Sequence, residues 1–142
     1  MRYFLALIGG VLLLGVAVSQ TQASHLGCHT GDALGFVAIR ADPPYLVGTL
    51  PSRFTGMPVF FEARYNCEHK GVQARRIDLG TYEVRFLGLS PHVVLTDALS
   101  AEGVSSSSEN MGNGTVRVFL RGPLGGNNVA TRRDVPFSVV VY

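Results

Sequence analysis

Three of the four histidines stand beside the two cysteines, in His25-Leu26-Gly27-Cys28-His29 and Cys67-Glu68-His69. If the cysteines join, these segments meet, and His25, His29, His69, Glu68 and Asp32 come to surround one point. Imidazole nitrogens and carboxylate oxygens are ligands for copper or zinc, so the cluster is the candidate metal site of this chain. Its spacing follows no zinc signature, which sets a Cys-x-x-Cys or His-x-x-x-His pair on each side of the metal. No motif calls for any other cofactor. Nucleophilic catalysis has less to stand on: there is no Gly-x-Ser-x-Gly elbow, and joined cysteines offer no thiolate. The glycine-rich stretch 122–128 lacks the Lys-Ser/Thr pair and the following helix of a phosphate loop. The expectation is a protein that is not an enzyme.

Arg2 precedes an apolar run from Tyr3 to Val18, and Ser19-Gln20-Thr21-Gln22-Ala23 follows. This is the pattern of a secretory signal peptide, and the run falls short of the roughly 20 residues of a membrane-spanning helix. Thr21 and Ala23 put small residues third and first before a cut. The expected organisation is a signal peptide over 1–23 and one secreted domain over 24–142, in the periplasm, at the cell surface or outside, with no permanent membrane span after processing. An even pair of cysteines in an exported chain reads as a disulfide, Cys28 to Cys67. Closing a loop of that size stabilises a domain by about 3 to 4 kcal/mol. The chain is 46% hydrophobic and 15% charged, which argues against wholesale disorder. A net charge of +2, with no basic block longer than Arg75-Arg76 or Arg132-Arg133, argues against a nucleic-acid-binding face.

The elements that must position these residues read as strands. Val59, Phe61, Ala63 and Tyr65 alternate with Phe60, Glu62 and Arg64; Tyr82, Val84 and Phe86 alternate with Glu83 and Arg85. Val116, Val118 and Leu120 alternate with Arg117, Phe119 and Arg121, and Phe137, Val139 and Val141 with Ser138 and Val140. Period two in β-branched and aromatic residues predicts half-buried strands. Shorter candidates are Phe36 to Arg40, Tyr45 to Val47 and Val93 to Thr96, and Ser105 to Ser108 reads as a solvated strand or loop. Asn113-Gly114 before Thr115 is the strongest hairpin signal. No sustained helical period follows the leader. About seven short strands separated by turns predict an all-β, immunoglobulin-like antiparallel sandwich with one disulfide. Arg64, Arg85, Arg117 and Arg121 on outward positions are expected to pair across strands with Glu62 and Glu83.

In layout the chain resembles bacterial chaperone-usher secreted subunits, the fimbrial pilins and the spore coat protein U-like domains. The features that carry the resemblance are an early Cys28, a Cys67 closing the strand Val59 to Asn66, and the terminal alternating strand Pro136-Phe137-Ser138-Val139-Val140-Val141-Tyr142. It implies a sandwich lacking one strand, completed by strand addition at an open edge. Phe137, Val139 and Val141 would then flank and line the acceptor groove, Tyr142 would carry the carboxylate that a chaperone grips, and the partners would be a periplasmic chaperone or a neighbouring subunit. The residues between the expected cut and Cys28 are too few for an arm that donates a strand. The resulting expectation is an exported structural or adhesive β-sandwich subunit; the alternative is a small periplasmic metal- or ligand-binding domain built on the histidine cluster.

Overall fold

A computed structural model describes residues 28–29, 31–40, 47–99, 103–124 and 130–142. The expected leader 1–23, its cut site, and His25 lie outside the described residues. Among the described residues nine strands form two antiparallel sheets, and there is no α-helix. They are β1 (Gly35–Ile39), β2 (Phe61–Asn66), β3 (Val72–Asp78), β4 (Thr81–Phe86), β5 (Val94–Ala98), β6 (Ser105–Gly112), β7 (Thr115–Leu124), β8 (Ala130–Arg132) and β9 (Phe137–Val141). One sheet has the order β2-β1-β9-β5; the other runs β3-β4-β7-β6, with β8 paired to β7. The predicted all-β sandwich is what forms.

Alternation creates the core. From one sheet Val72 and Ala74, Tyr82, Val84 and Phe86, and Val116, Val118 and Leu120 point inward. From the other, Val37, Ile39, Phe137, Val139 and Val141 meet them, and Phe61, Leu50 and Leu89 close the ends. Burying each large side chain contributes about 1.5 to 3 kcal/mol, and the Tyr82 and Phe137 rings meet across the layers at 5.0 Å between centroids.

The sequence pattern missed β3, β6 as a definite strand, and β8. Strand β6, Ser105 to Gly112, has almost no apolar residue of its own. It is a strand because β7 offers it a ladder from Arg121 to Thr115, and a polar edge strand needs no more than that. The Tyr45–Val47 candidate falls mostly outside the described residues, and Val47 opens a 3-10 turn, Val47–Thr49. Val59 and Phe60 also lie in such a turn, Pro58–Phe60, so β2 starts later than expected.

The predicted single face of Val59, Phe61, Ala63 and Tyr65 is broken within β2. Ile39 pairs with Phe61 but Ala38 with Ala63, so Glu62 is an extra residue in a bulge. One inserted residue reverses the faces beyond it: Phe61 is buried, Ala63 is exposed and Tyr65 half-buried.

The sandwich closes differently along its two sides. At the β5/β6 side, Ser106 Oγ donates to the Thr96 carbonyl at 2.8 Å and Asn110 Nδ2 to the Pro91 carbonyl at 2.6 Å. At the other side, the β3 edge is covered by the segment before the Pro58 turn: Thr55 bridges Ala74 through two 2.9 Å bonds, and Arg76 N–H donates to the Pro51 carbonyl at 3.0 Å. Between that covered edge and the outer edge of β2 a cleft remains.

Asn113 (φ 50°) and Gly114 (φ 70°) form the two-residue β6–β7 hairpin, as the sequence predicts. A side chain at Gly114 would place its Cβ 2.1 Å from the Phe86 carbonyl oxygen. Gly114→Ala is therefore expected to lower stability by about 2 to 4 kcal/mol through strain and a forced shift of β4, read as a lower urea midpoint at unchanged slope.

Candidate functional site

The disulfide is present: Cys28 and Cys67 join with Cα atoms 5.2 Å apart and a sequence separation of 39. Cys67 N–H bonds the Leu34 carbonyl, and Leu34 N–H bonds the Val141 carbonyl, so the bridge staples the segment before β1 to the end of β2 beside β9. Cys28 and His29 are exposed, as are Glu68 and His69. The staple does bring the two cysteine segments together, and Glu68 Oε1 lies 3.5 Å from Cys28 Sγ. Among the described residues, however, no group of three or more His, Cys, Asp or Glu side chains is arranged to hold a metal ion. His25, which also belongs to the expected set, lies outside them.

The terminal strand β9 is an inner strand of its sheet. β9 pairs with β1 on one edge, from Val141–Gly35 to Ser138–Ala38, and with β5 on the other, from Val141–Val94 to Phe137–Ala98. Phe137, Val139 and Val141 are wholly buried in the core. Both hydrogen-bonding edges of β9 are thus occupied, and these residues form part of the core between the sheets. Tyr142 is exposed, and its backbone is tied to β5, with bonds from His92 N–H and Val93 N–H to its carbonyl oxygen and from its own N–H to Val93.

Two polar clusters, which alternation alone does not reveal, hold the sheets in place. The first centres on Asp134, just before β9. Its carboxylate accepts from Arg76 Nη2 at 2.7 Å, from Gly80 N–H at 2.8 Å and from the Tyr82 hydroxyl. Burial pushes the Asp134 carboxyl up, but the Arg76, Tyr82 and Gly80 hydrogen bonds together outweigh it and hold it below the ordinary 3.8. Burial and the Asp134 bond drive the Tyr82 phenol far above its usual range. Gly80, at φ 60°, must be glycine here, since a Cβ would lie 2.6 Å from the Leu120 carbonyl oxygen.

The second cluster is a row across β3, β4 and β7. Glu83, 3% exposed, stands between Arg75 and Arg117, its partners in register on either side. Arg75 Nε donates to Oε2 at 2.8 Å and Arg117 Nη2 to Oε1 at 2.7 Å. Burial raises the Glu83 carboxyl, and the two guanidiniums outweigh it to hold it below 4.5. The expected Arg117–Glu83 pair therefore forms, with Arg75 as the unanticipated third member. Arg85 instead stacks on Phe54 at 3.8 Å and donates to Thr115 Oγ1. Arg64 does not pair with Glu62; it donates to the Gly56 carbonyl at 2.6 Å and lies over the Phe61 ring.

Asn66 builds the corner between the sheets. Its buried side chain accepts from Glu68 N–H at 2.9 Å and donates to the carbonyls of Gly71 at 2.8 Å and Leu87 at 3.0 Å. This fixes the loop that carries Glu68, His69 and Lys70 out of β2, with His69 at a φ of 55°. The bond from the amide two residues on is an Asx turn, for which asparagine is a favoured residue. Beside the corner lies the cleft between the β2 and β3 edges, about 460 Å³, lined by Arg64, Tyr65, His69, Lys70 and Gln73 among others.

Comparison with protein-family models, with curated proteins and with solved structures found no match.

The two depressed carboxyls set an acid limb. Both have folded values below their unfolded ones, so their contribution is complete above about pH 4.5 and is lost as pH falls through the folded values. Asp134→Asn is expected to cost about 2 kcal/mol at pH 7 and to flatten the loss of stability below pH 4.5, read as urea midpoints from pH 7 to pH 2.

Proposed function

We propose that this chain is an exported structural or adhesive β-sandwich subunit, held by its disulfide, that meets its partners through its surface. The observation that carries this reading is the placement of β9, paired on both edges and buried along its inner face, within a sandwich stapled by Cys28–Cys67. The leader-like residues 1–23 and the disulfide both fit an oxidising compartment outside the cytoplasm. A strand donated directly beside β9 would have to displace β1 or β5 from it. Surface association requires no such step.

The test is thermal unfolding of the oxidised intact chain, purified without partner. The expected result is a monomer with one cooperative transition, unchanged by EDTA. Dithiothreitol, or Cys28→Ser with Cys67→Ser, is expected to lower stability by about 3 to 4 kcal/mol. A molten, aggregating chain that an added strand peptide or chaperone makes cooperative would overturn the reading in favour of strand complementation. A transition that EDTA lowers and copper or zinc restores would favour the metal-binding alternative.

A further inference from the structure

The cleft between the β2 and β3 edges is cationic and concave, and it lies on the open side of the sandwich. Arg64 comes from β2, His69 and Lys70 from the Asn66 corner, and Gln73 from β3. Among the described residues, no carboxylate lines it. Glu68 pairs with Lys70 at 3.4 Å from outside the lining, with both side chains well exposed, and an exposed pair of this kind yields readily to a better anion. The Lys70 stem passes over Gly88, where a Cβ would come within 2.7 Å of its Cδ, and the ammonium is among the groups that line the cleft.

The shape selects the kind of ligand. The Arg64–Gly56 bond at 2.6 Å crosses from β2 to the segment beside β3 and acts as a strap over the cleft. A peptide strand laid along β2 would have to break that bond and follow the Glu62 bulge; a compact ligand meets neither obstacle. β2 is the edge strand of its sheet, paired with β1 among the described strands, and its residues Arg64, Tyr65 and Asn66 line the cleft. With the Gln73 amide and the Tyr65 ring, that edge supplies the donors, acceptors and flat surface that hydroxyl-bearing rings require.

We infer that this cleft binds an acidic saccharide, its carboxylate held by Arg64 and Lys70 and its hydroxyls by Gln73 and the β2 edge. The inference rests on the adhesive reading and names what would be adhered to. Arg64 and Lys70 are both cations of the cleft lining, and a hydrogen bond from either to a carboxylate is charge-assisted, about twice as strong as a neutral one.

The test is titration of the oxidised, isotope-labelled intact chain with a trigalacturonate, followed by amide shifts. In parallel arms the methyl ester of the same sugar and inorganic phosphate replace it. Saturable shifts over residues 64–73 are expected with the uronate. The methyl ester should bind roughly tenfold more weakly or not at all. Arg64→Gln and Lys70→Gln should each weaken the uronate about tenfold, while Arg132→Gln, paired with Asp78 away from the cleft, should not. The inference is overturned if a folded chain shows no shifts in the cleft, if ester and uronate bind alike, if phosphate binds as well as the sugar, or if Arg64→Gln and Lys70→Gln change nothing. Those failures occur in a chain that still unfolds cooperatively, so they leave the sandwich reading standing; failure of that reading shows instead as loss of cooperative unfolding.

Discussion

The Asp134 carboxylate is where the two layers are locked together. It stands at the entry to β9, the inner strand of one sheet, and takes hydrogen bonds from Arg76 on β3, Tyr82 on β4 and the Gly80 amide in the turn between them. A half-buried carboxylate is costly unless its lone pairs are filled, and here three donors from the opposite sheet fill them. The position of β9 and that of the β3–β4 hairpin therefore depend on each other. The Tyr82 ring carries the same restraint into the core, where it meets Phe137, three residues beyond Asp134.

The arrangement of edges follows from that lock. With β9 held inside its sheet, β1 and β5 take both of its ladders, and the exposed edges pass to β2, β3, β5 and β6. Three of these are covered by other means: β5 and β6 by side-chain bonds between them, and β3 by the Thr55 bridge. β2 is left facing the cleft, and its edge is interrupted by a bulge and bears Glu62 and Arg64. Bulges and charges are the devices by which natural sheets resist pairing with a stray strand. They leave room for a small polar ligand where they discourage a strand.

The outer face of the second sheet shows how charge is distributed without disturbing the core. Glu83 lies at the centre of the sheet, where water cannot reach it, and Arg75 and Arg117 flank it in register. A single buried carboxylate in a strand would be destabilising; between two guanidiniums it is fully hydrogen-bonded, and the aliphatic stems of the arginines cover the neighbouring strands. Arg85 is used differently, with Phe54 against its plane. Cationic side chains of one type thus serve as ion partners, as ring partners and, at Arg64, as a strap across the cleft.

What the sequence determined by itself is the part of the structure that neighbours along the chain decide. Alternation sets which face of β4, β7 and β9 is buried, because successive side chains in a strand point to opposite sides. Asn113-Gly114 sets a hairpin because those two residues tolerate positive φ, and the two cysteines of a chain with a leader-like start indicate their own bond. Tertiary structure alone decided that the Ser105 run becomes a strand, since β7 supplies the ladder, and that Glu62 is squeezed into a bulge, which turns Ala63 and Tyr65 to the other face. It also decided that the terminal strand lies inside its sheet, and it assembled Asp134, Asn66 and the cleft-lining residues from segments far apart in the chain. The reason is physical: burial phase and turn conformation are set within a few residues, whereas the order of strands and the satisfaction of a buried carboxylate depend on groups that meet only when the chain has folded.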